Sequence, residues 1–296
     1  MTIRRYNPEK DHDSVLRIWL ECGWLEKDDV KPLDYFLEGS TAWVGEFNGE
    51  AETLVTNMKG TIRHGQTDLP MCGIASVTTS RVARKQGQAG QVTARAIAHD
   101  AMEGALVATL GTFEQGYYNR LGFGTLSYDL MFNFDPSTLR IRDGLKARPP
   151  KRLTKDDYEI IHANRLQRCR GHGSCSLTPA KYSQAEMEFT AGGFGLGYFD
   201  GPGKSLSHHF WCTTRGKDEH GPYTLQWMAY ETNEQFLELM ALLKGLGDQV
   251  RLVRMINPPN LMLQDLLDQP FHRRAITDKS EFSQSTWYAA WQQARM

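Results

Sequence analysis

The sequence predicts an α/β fold laid down twice along one chain, and three observations carry that prediction. Apolar residues switch repeatedly between period-two alternation and helical spacing, the mark of strands and helices in one domain. The succession of three strands, helix, strand and short helix occurs between Thr41 and Gly124, and again between Phe194 and Leu267. Between the two, Asp135-Pro136-Ser137 and Arg148-Pro149-Pro150-Lys151 punctuate the chain and place a boundary between about 140 and 150. A chain of 296 residues is long enough for two separate cores.

In the first half, Thr2 to Tyr6 reads as a short strand, and Pro8 opens a polar turn. From Asp11 a helix follows, with Val15, Ile18, Trp19 and Cys22 at helical spacing and Gly23 as its stop. An acidic loop, Glu26-Lys27-Asp28-Asp29, leads to a short helix from Pro32 to Glu38. Thr41 to Phe47 alternates and ends at Asn48-Gly49, a hairpin signal whose partner runs from Thr53 to about Arg63. His64 to Asp68 turns the chain into a strand from Cys72 to Thr79. After the loop Arg84-Lys85-Gln86-Gly87-Gln88-Ala89, the run from Gly90 to Gly104 puts Val92, Ala96, Ile97 and Ala101 on one helical face. A strand from Ala105 to Leu110 and an alternating strand from Thr125 to Phe134 complete this half.

The second half opens at Thr154, whose pairing with Asp157 makes an acidic variant of the capping box for a helix through Gln167. Strands are expected at Phe194 to Phe199, Ser207 to Thr213 and Thr224 to Tyr230, with Asp200-Gly201-Pro202-Gly203 as a hairpin turn. Thr232 with Gln235 caps a helix carrying Phe236, Leu239, Met240 and Leu243, followed by a strand from Val250 to Ile256. Pro258-Pro259 breaks that strand before a short helix from Leu261 to Leu267.

A strand, a glycine-bearing loop and a helix collect outward-pointing amide N–H groups at a helix N-terminus, which is an anion site. Gly87 lets the backbone approach a phosphate, and Arg84 or Lys85 adds positive charge beside it. The loop resembles the pyrophosphate loop of the GNAT superfamily of N-acetyltransferases, Arg or Gln, two residues, Gly, one residue, Gly or Ala, through Arg84, Gly87 and Ala89. Tyr118-Asn119-Arg120-Leu121-Gly122-Phe123-Gly124 is similar to the segment after the fifth strand in that superfamily, above all in the enhanced-intracellular-survival (Eis) type. The resemblance implies a tandem GNAT (acyl-CoA N-acyltransferase) fold, with a mixed, mostly antiparallel central sheet flanked by helices in each half. It implies a catalytic domain over residues 1–145, a degenerate GNAT-like domain over 146–285 and a C-terminal tail over 286–296. Where the first half has its phosphate loop, the second has Glu231-Thr232-Asn233-Glu234, with no glycine and two carboxylates that would repel a pyrophosphate.

By the same resemblance, acetyl-CoA is the acyl donor, held by Arg84, Lys85, Gln86, Gly87, Gln88 and Ala89. Backbone groups of Val77, Thr78 and Thr79 then lie against its pantetheine arm. The acceptor is a primary amine of an aminoglycoside-like molecule, a polyamine or a peptide lysine. Tyr118 stands at the position of the general acid that protonates the departing thiolate, and Tyr117 reads as a packing residue. Glu46, Asp28, Asp29 and Glu114 are candidate bases among which the sequence does not choose. The early acidic segment could attract a cationic substrate. Eis-type proteins usually continue into a sterol-carrier-like domain whose terminal carboxylate serves as base. This sequence ends at Arg295-Met296, about where that domain would begin, so it is expected to be a short form or a fragment.

A formal charge of −1 argues against a nucleic-acid partner, and with it against a tandem-GNAT aminoacyltransferase fed by transfer RNA. A non-catalytic acyl-CoA-binding regulator is the other alternative. No apolar run approaches membrane-spanning length and no signal-peptide pattern stands at Met1-Thr2-Ile3-Arg4-Arg5, so no membrane association and a cytoplasmic location are expected. Five scattered cysteines suit reduced thiols, and a homo-oligomer is compatible with the resemblance. Cys169-x-x-His172-x-x-Cys175, with His208, His209 or Cys212, has zinc-ligand types at a spacing that matches no common finger, so no metal is expected. Gly203-Lys204-Ser205 lacks the first glycine of a nucleotide loop, and the glycines from Gly192 to Gly197 miss the dinucleotide spacing. Core packing accounts for most of the seven tryptophans; Trp19, Trp24 and Trp43 flank the expected cleft.

Overall fold

The computed structural model describes residues 2–26, 30–111, 116–124, 129–142, 144–190, 192–214, 220–268 and 274–276. In chain order the first elements are β1 (Thr2–Arg5), α1 (Pro8–Glu21), α2 (Lys31–Glu38), β2 (Thr41–Phe47), β3 (Glu50–His64), β4 (Thr67–Thr79), α3 (Gln88–Met102) and β5 (Val107–Thr109). There follow β6 (Leu130–Phe134), β7 (Lys151–Leu153), α4 (Tyr158–Gln167), β8 (Cys175–Leu177), α5 (Ala180–Glu188) and β9 (Gly193–Tyr198). The chain continues through β10 (His208–Thr214), β11 (Tyr223–Ala229), α6 (Asn233–Gly245), β12 (Val253–Ile256) and β13 (Arg274–Ile276).

Two compact units result, Met1–Gly124 with Gly171–Phe189, and Thr125–Arg170 with Thr190–Met296. This partition differs from a single cut between 140 and 150, for a local reason at each crossing. The turn-rich stretch after Phe134 is packed structure: Asp135 accepts from the amide and hydroxyl of Ser137, and Leu139 is fully buried in the second unit's core. Within the first unit, β8 pairs with β3 at Gly60–Ile62, beyond the reach of β2. An ideal Cβ on Gly60 would lie 2.3 Å from the Ser176 carbonyl oxygen, so only glycine admits that strand. Neither β8 nor α5 carries a long apolar pattern, and neither was expected from the sequence. The strand expected to close the first half, β6, instead lies between β12 and β13 of the second sheet.

In the first unit the sheet runs β1-β2-β3-β4-β5, antiparallel except for the parallel pair β4–β5, which α3 connects. One face buries Val15, Trp19, Leu33, Phe36, Leu54 and Met58 against α1, α2 and α5. The other buries Trp43, Val55, Cys72, Ile74, Val92 and Ala96 beneath α3. Helix α1 begins a turn earlier than expected because Asn7 caps it, accepting from the Glu9 amide, and Pro8 takes the first helical position, where its missing N–H costs nothing.

The second unit repeats that order: β9, β10 and β11 are antiparallel, α6 crosses over, and β12 returns parallel to β11. Its core is Phe132, Phe210, Leu239, Met240, Leu243, Val253 and Met255. The expected boxes at Thr154/Asp157 and Thr232/Gln235 both form.

Candidate active site

Strand β4 pairs with β5 only over Met71–Gly73, while β4 itself runs on to Thr79. Among the described residues no strand covers the β5 side of β4 from Ile74 onward, which leaves Val77 to Thr79 on an edge of the described sheet, where the Thr79 carbonyl accepts from Arg84 Nε at 3.5 Å. A bulge sits at the same level. The β3–β4 register steps from Thr56↔Ala75 to Leu54↔Thr78, leaving Ser76 and Val77 opposite Val55 alone. Ser76 adopts φ +53°, a left-handed conformation unusual for serine, and accepts at Oγ from the Thr56 hydroxyl at 3.1 Å. Sequence reasoning missed this bulge, since nothing in Ile74-Ala75-Ser76-Val77 marks a positive φ.

Beyond Thr79 the chain is held at the loop's entry: the Ser80 amide donates to the Glu52 carbonyl at 2.9 Å, and the Arg81 amide to Glu21 Oε2 at 2.8 Å. Ala83 is buried, whereas Arg84, Lys85, Gln86 and Gly87 are exposed. Gly87 is the N-cap of α3 with φ +76°, and no side chain caps that helix. A Cβ at Gly87 would meet nothing closer than 3.9 Å, so the left-handed backbone, rather than crowding by protein, calls for glycine. The first turn of α3 thus presents uncapped amides and no acidic side chain, beside two exposed cations. Of the six loop residues, Gln88 differs in its side chain, which is buried and whose Oε1 accepts from Thr53 Oγ1 at 3.0 Å.

The matching helix start in the second unit is closed. Thr232 accepts from the Gln235 amide, and Gln235 Oε1 accepts from the amides of Glu231 and Thr232, with Glu234 in the first turn. One helix N-terminus is open and basic, and its counterpart is capped and acidic.

Tyr118 opens a 3-10 turn, Tyr118–Leu121, that Gly122 ends at φ +89°. Its ring packs edge-on against Tyr117 and Phe123, with centroids 4.8 and 5.9 Å away. Burial pushes the Tyr118 phenol up to about 12, with Tyr117 adding to the shift. The Tyr117 hydroxyl reaches the start of α3, 3.7 Å from where a Cβ on Gly90 would stand, and Arg120 lies over its ring at 4.4 Å. Among the candidate bases, Glu46 is occupied: it pairs with Lys10 and Arg4, in that order the causes that hold its carboxyl below the usual range. Asp28, Asp29 and Glu114 lie outside the described residues. A cavity of about 450 Å³ lined by Asp13, Leu16, Arg17, Leu20, Glu21 and Arg81 opens beside the loop's entry; two carboxylates line it with the two arginines, and Arg17 already pairs with Glu50 and Glu52.

The zinc-type residues fall in different units. Cys169 belongs to the second unit, while His172 and Cys175 belong to the first, where His172 Nδ1 accepts from the Gly65 amide. His209 is neutral: Trp227 Nε1 donates to its Nε2, its Nδ1 donates to Asn164 Oδ1, and burial holds its pKa down to about 3. Among the described residues one group has metal-binding spacing, Asp200, His208 and Glu238, with ligand atoms within 4.8 Å of one another. The Arg148 guanidinium donates to both carboxylates, at 2.6 and 2.7 Å, and already supplies the cation there.

The open helix start follows a bulged strand, and residues 2–126 match the family model described as Acetyltransferase (GNAT) domain. The first unit therefore carries a GNAT acetyltransferase domain, and acyl transfer is its class of chemistry. Solved structures extend the likeness over both units. Eis1 from Mycobacterium abscessus superposes with a TM-score of 0.75 at 15% identity, over 94% of this chain and 71% of that one. A GCN5-related N-acetyltransferase from Anabaena variabilis gives 0.76 at 13%, over 93% and 70%. A protein of unknown function from Enterococcus faecalis V583, described as a probable N-acyltransferase, gives 0.73 at 14%, over 93% and 70%. At such identities the likeness establishes the fold, a tandem GNAT arrangement of two mixed sheets flanked by helices. Comparison with curated protein sequences finds no match.

Proposed function

We propose that the first unit binds acetyl-CoA and transfers its acetyl group to a primary amine. The observation that carries this reading is the contrast between the two helix starts, α3 open, left-handed at Gly87 and flanked by Arg84 and Lys85, α6 sealed by its own box. The pyrophosphate would lie on the amides of Gln88 and Ala89, with Arg84, Lys85 and Gln86 at its edge. The pantetheine arm would extend along Val77, Thr78 and Thr79 as an added strand, its amides pairing with the uncovered edge of β4.

In the reaction the neutral amine attacks the thioester carbonyl carbon, a C–N bond forms and the C–S bond breaks. The thiolate leaves with the bonding pair and takes a proton from the Tyr118 hydroxyl; the amine's surplus proton passes to water. A phenol at about 12 is fully protonated at neutral pH, as a donor must be. The burial that weakens it as an acid also makes a neighbouring thiolate more basic.

Calorimetry tests the reading. Gly87→Glu places a carboxylate and a strained backbone where the pyrophosphate would sit and is expected to abolish acetyl-CoA binding. Asn233→Glu at the start of α6 should leave binding unchanged. A folded Gly87→Glu protein that binds acetyl-CoA normally would put the site elsewhere, and tight binding without thiol release across a broad amine panel would favour an acyl-CoA-binding regulator.

A further inference from the structure

The first residue of α3 is fastened to the sheet by its side chain. Gly45, Thr53 and Thr79 form one cross-strand row, Gly45↔Thr53 between β2 and β3 and Thr53↔Thr79 between β3 and β4. Gln88 lies over that row, 3% exposed, and Thr53 is fully buried beneath it. A Cβ on Gly45 would stand 3.2 Å from Gln88 Oε1, 3.1 Å from Val92 Cγ2 and 3.3 Å from Thr53 Cβ, so the glycine makes the seat for the amide. Hydroxyl counting sets the direction. Thr53 Oγ1 donates its single proton to Gln88 Oε1 at 3.0 Å, so at 3.3 Å it accepts from Thr79 Oγ1. A buried amide oxygen costs free energy unless it is bonded, and here the bond ties it to the two strands that lead into the loop.

Two of the groups joined in this way serve different parts of one elongated ligand. Thr79 ends the edge of β4 that no described strand covers, and Gln88 begins the open turn of α3. We infer that the Gln88 side chain is a positioning residue: with Thr53 and Thr79 it fixes the spacing between the strand edge and the helix amides, and thereby sets affinity for a donor that carries a pyrophosphate. The inference rests on the acetyl-CoA reading above. Its physical basis is preorganisation, because a clamp present before binding spares the ligand the ordering of the loop.

The test compares acetyl-CoA with S-acetylpantetheine, which keeps the thioester arm and lacks the pyrophosphate. Gln88→Met preserves length and removes the acceptor; it should weaken acetyl-CoA binding about tenfold by calorimetry, with S-acetylpantetheine unchanged within about twofold. Thr53→Val should do the same, Thr53→Ser should restore binding, and the Gln88→Met/Thr53→Val pair should be no worse than either single change. A variant that only loosened the fold would lower the melting temperature and weaken both donors alike, which would overturn the positioning role, as would unaltered acetyl-CoA binding in Gln88→Met. If Gln88→Met does not fold, the Thr53→Val and Thr53→Ser comparison decides by the same two donors. Wild-type protein that binds no acetyl-CoA would overturn the underlying reading and this inference with it; wild-type binding with indifferent variants would overturn this inference alone.

Discussion

Tyr118 and Tyr117 are adjacent in sequence and of one chemistry, yet their surroundings differ. Tyr118 packs between Tyr117 and Phe123, and its pKa rises to about 12. Tyr117 lies under Arg120, which works against the rise that burial causes in its own phenol. If Tyr118 is the proton donor, Tyr118→Phe should lower turnover by about a hundredfold with little change in acetyl-CoA affinity, as measured by thiol release and calorimetry. Equal loss in Tyr117→Phe, or none in Tyr118→Phe, would sink the assignment. The raised pKa also has a sign: the folded protein keeps this proton to higher pH than the unfolded chain. Its contribution to stability is complete below about pH 10 and is lost as pH rises through the folded value. Up to about pH 10, therefore, no loss of turnover should trace to ionisation of this phenol.

Among the elements, α1 is anchored at its start by an ion pair whose carboxylate is buried. Asp11 is 1% exposed and takes both prongs of Arg4, at 2.6 and 2.7 Å, together with the Asn7 amide at 2.8 Å. Burial alone would raise its carboxyl, but Arg4 and Asn7 outweigh that and leave it below the usual range. A depressed carboxylate stabilises above its unfolded pKa, and the contribution fades as pH falls through the lower folded value. Asp11→Asn should cost about 2 kcal/mol at pH 7 in urea melts, because it removes the buried charge that Arg4 grips while Arg4 keeps Glu46. The gap to wild type should narrow below about pH 4; a gap independent of pH would show that packing, and not the charge, is what the substitution removes.

Across the whole molecule, each sheet takes in a segment that a single domain cut would have assigned to the other half. The first receives β8 along the far part of β3, and the second receives β6 beside β12. Gly60 is the residue on which the first of these hangs, since a side chain there would collide with the Ser176 carbonyl. Gly60→Ala is expected to destabilise by about 2 kcal/mol, read as a lower denaturant midpoint, and to increase amide exchange in Cys175–Leu177 before other strands. Exchange in β8 that stays at the wild-type level would contradict that account of how the segment is held.

Local physics was legible in the sequence because it acts over a few residues. The caps at Thr154 and Thr232, the Asn48-Gly49 hairpin and the alternation of β2 are read from near neighbours, and so is the succession of elements in each half. Arg84, Gly87 and Ala89 marked the loop by resemblance, and Glu231-Thr232-Asn233-Glu234, which lacks that pattern, precedes the helix start that its own capping box closes. Tertiary structure alone decided what depends on partners far along the chain. That β6 pairs with β12, that β8 lies against β3, and that Ser76 bulges where Thr56 can hold it are matters of long-range register. Gln88 shows the difference most directly: a polar residue at the start of a helix reads as surface. Only the row of Gly45, Thr53 and Thr79, brought together from three strands, supplies the space and the hydroxyl that draw its side chain inward.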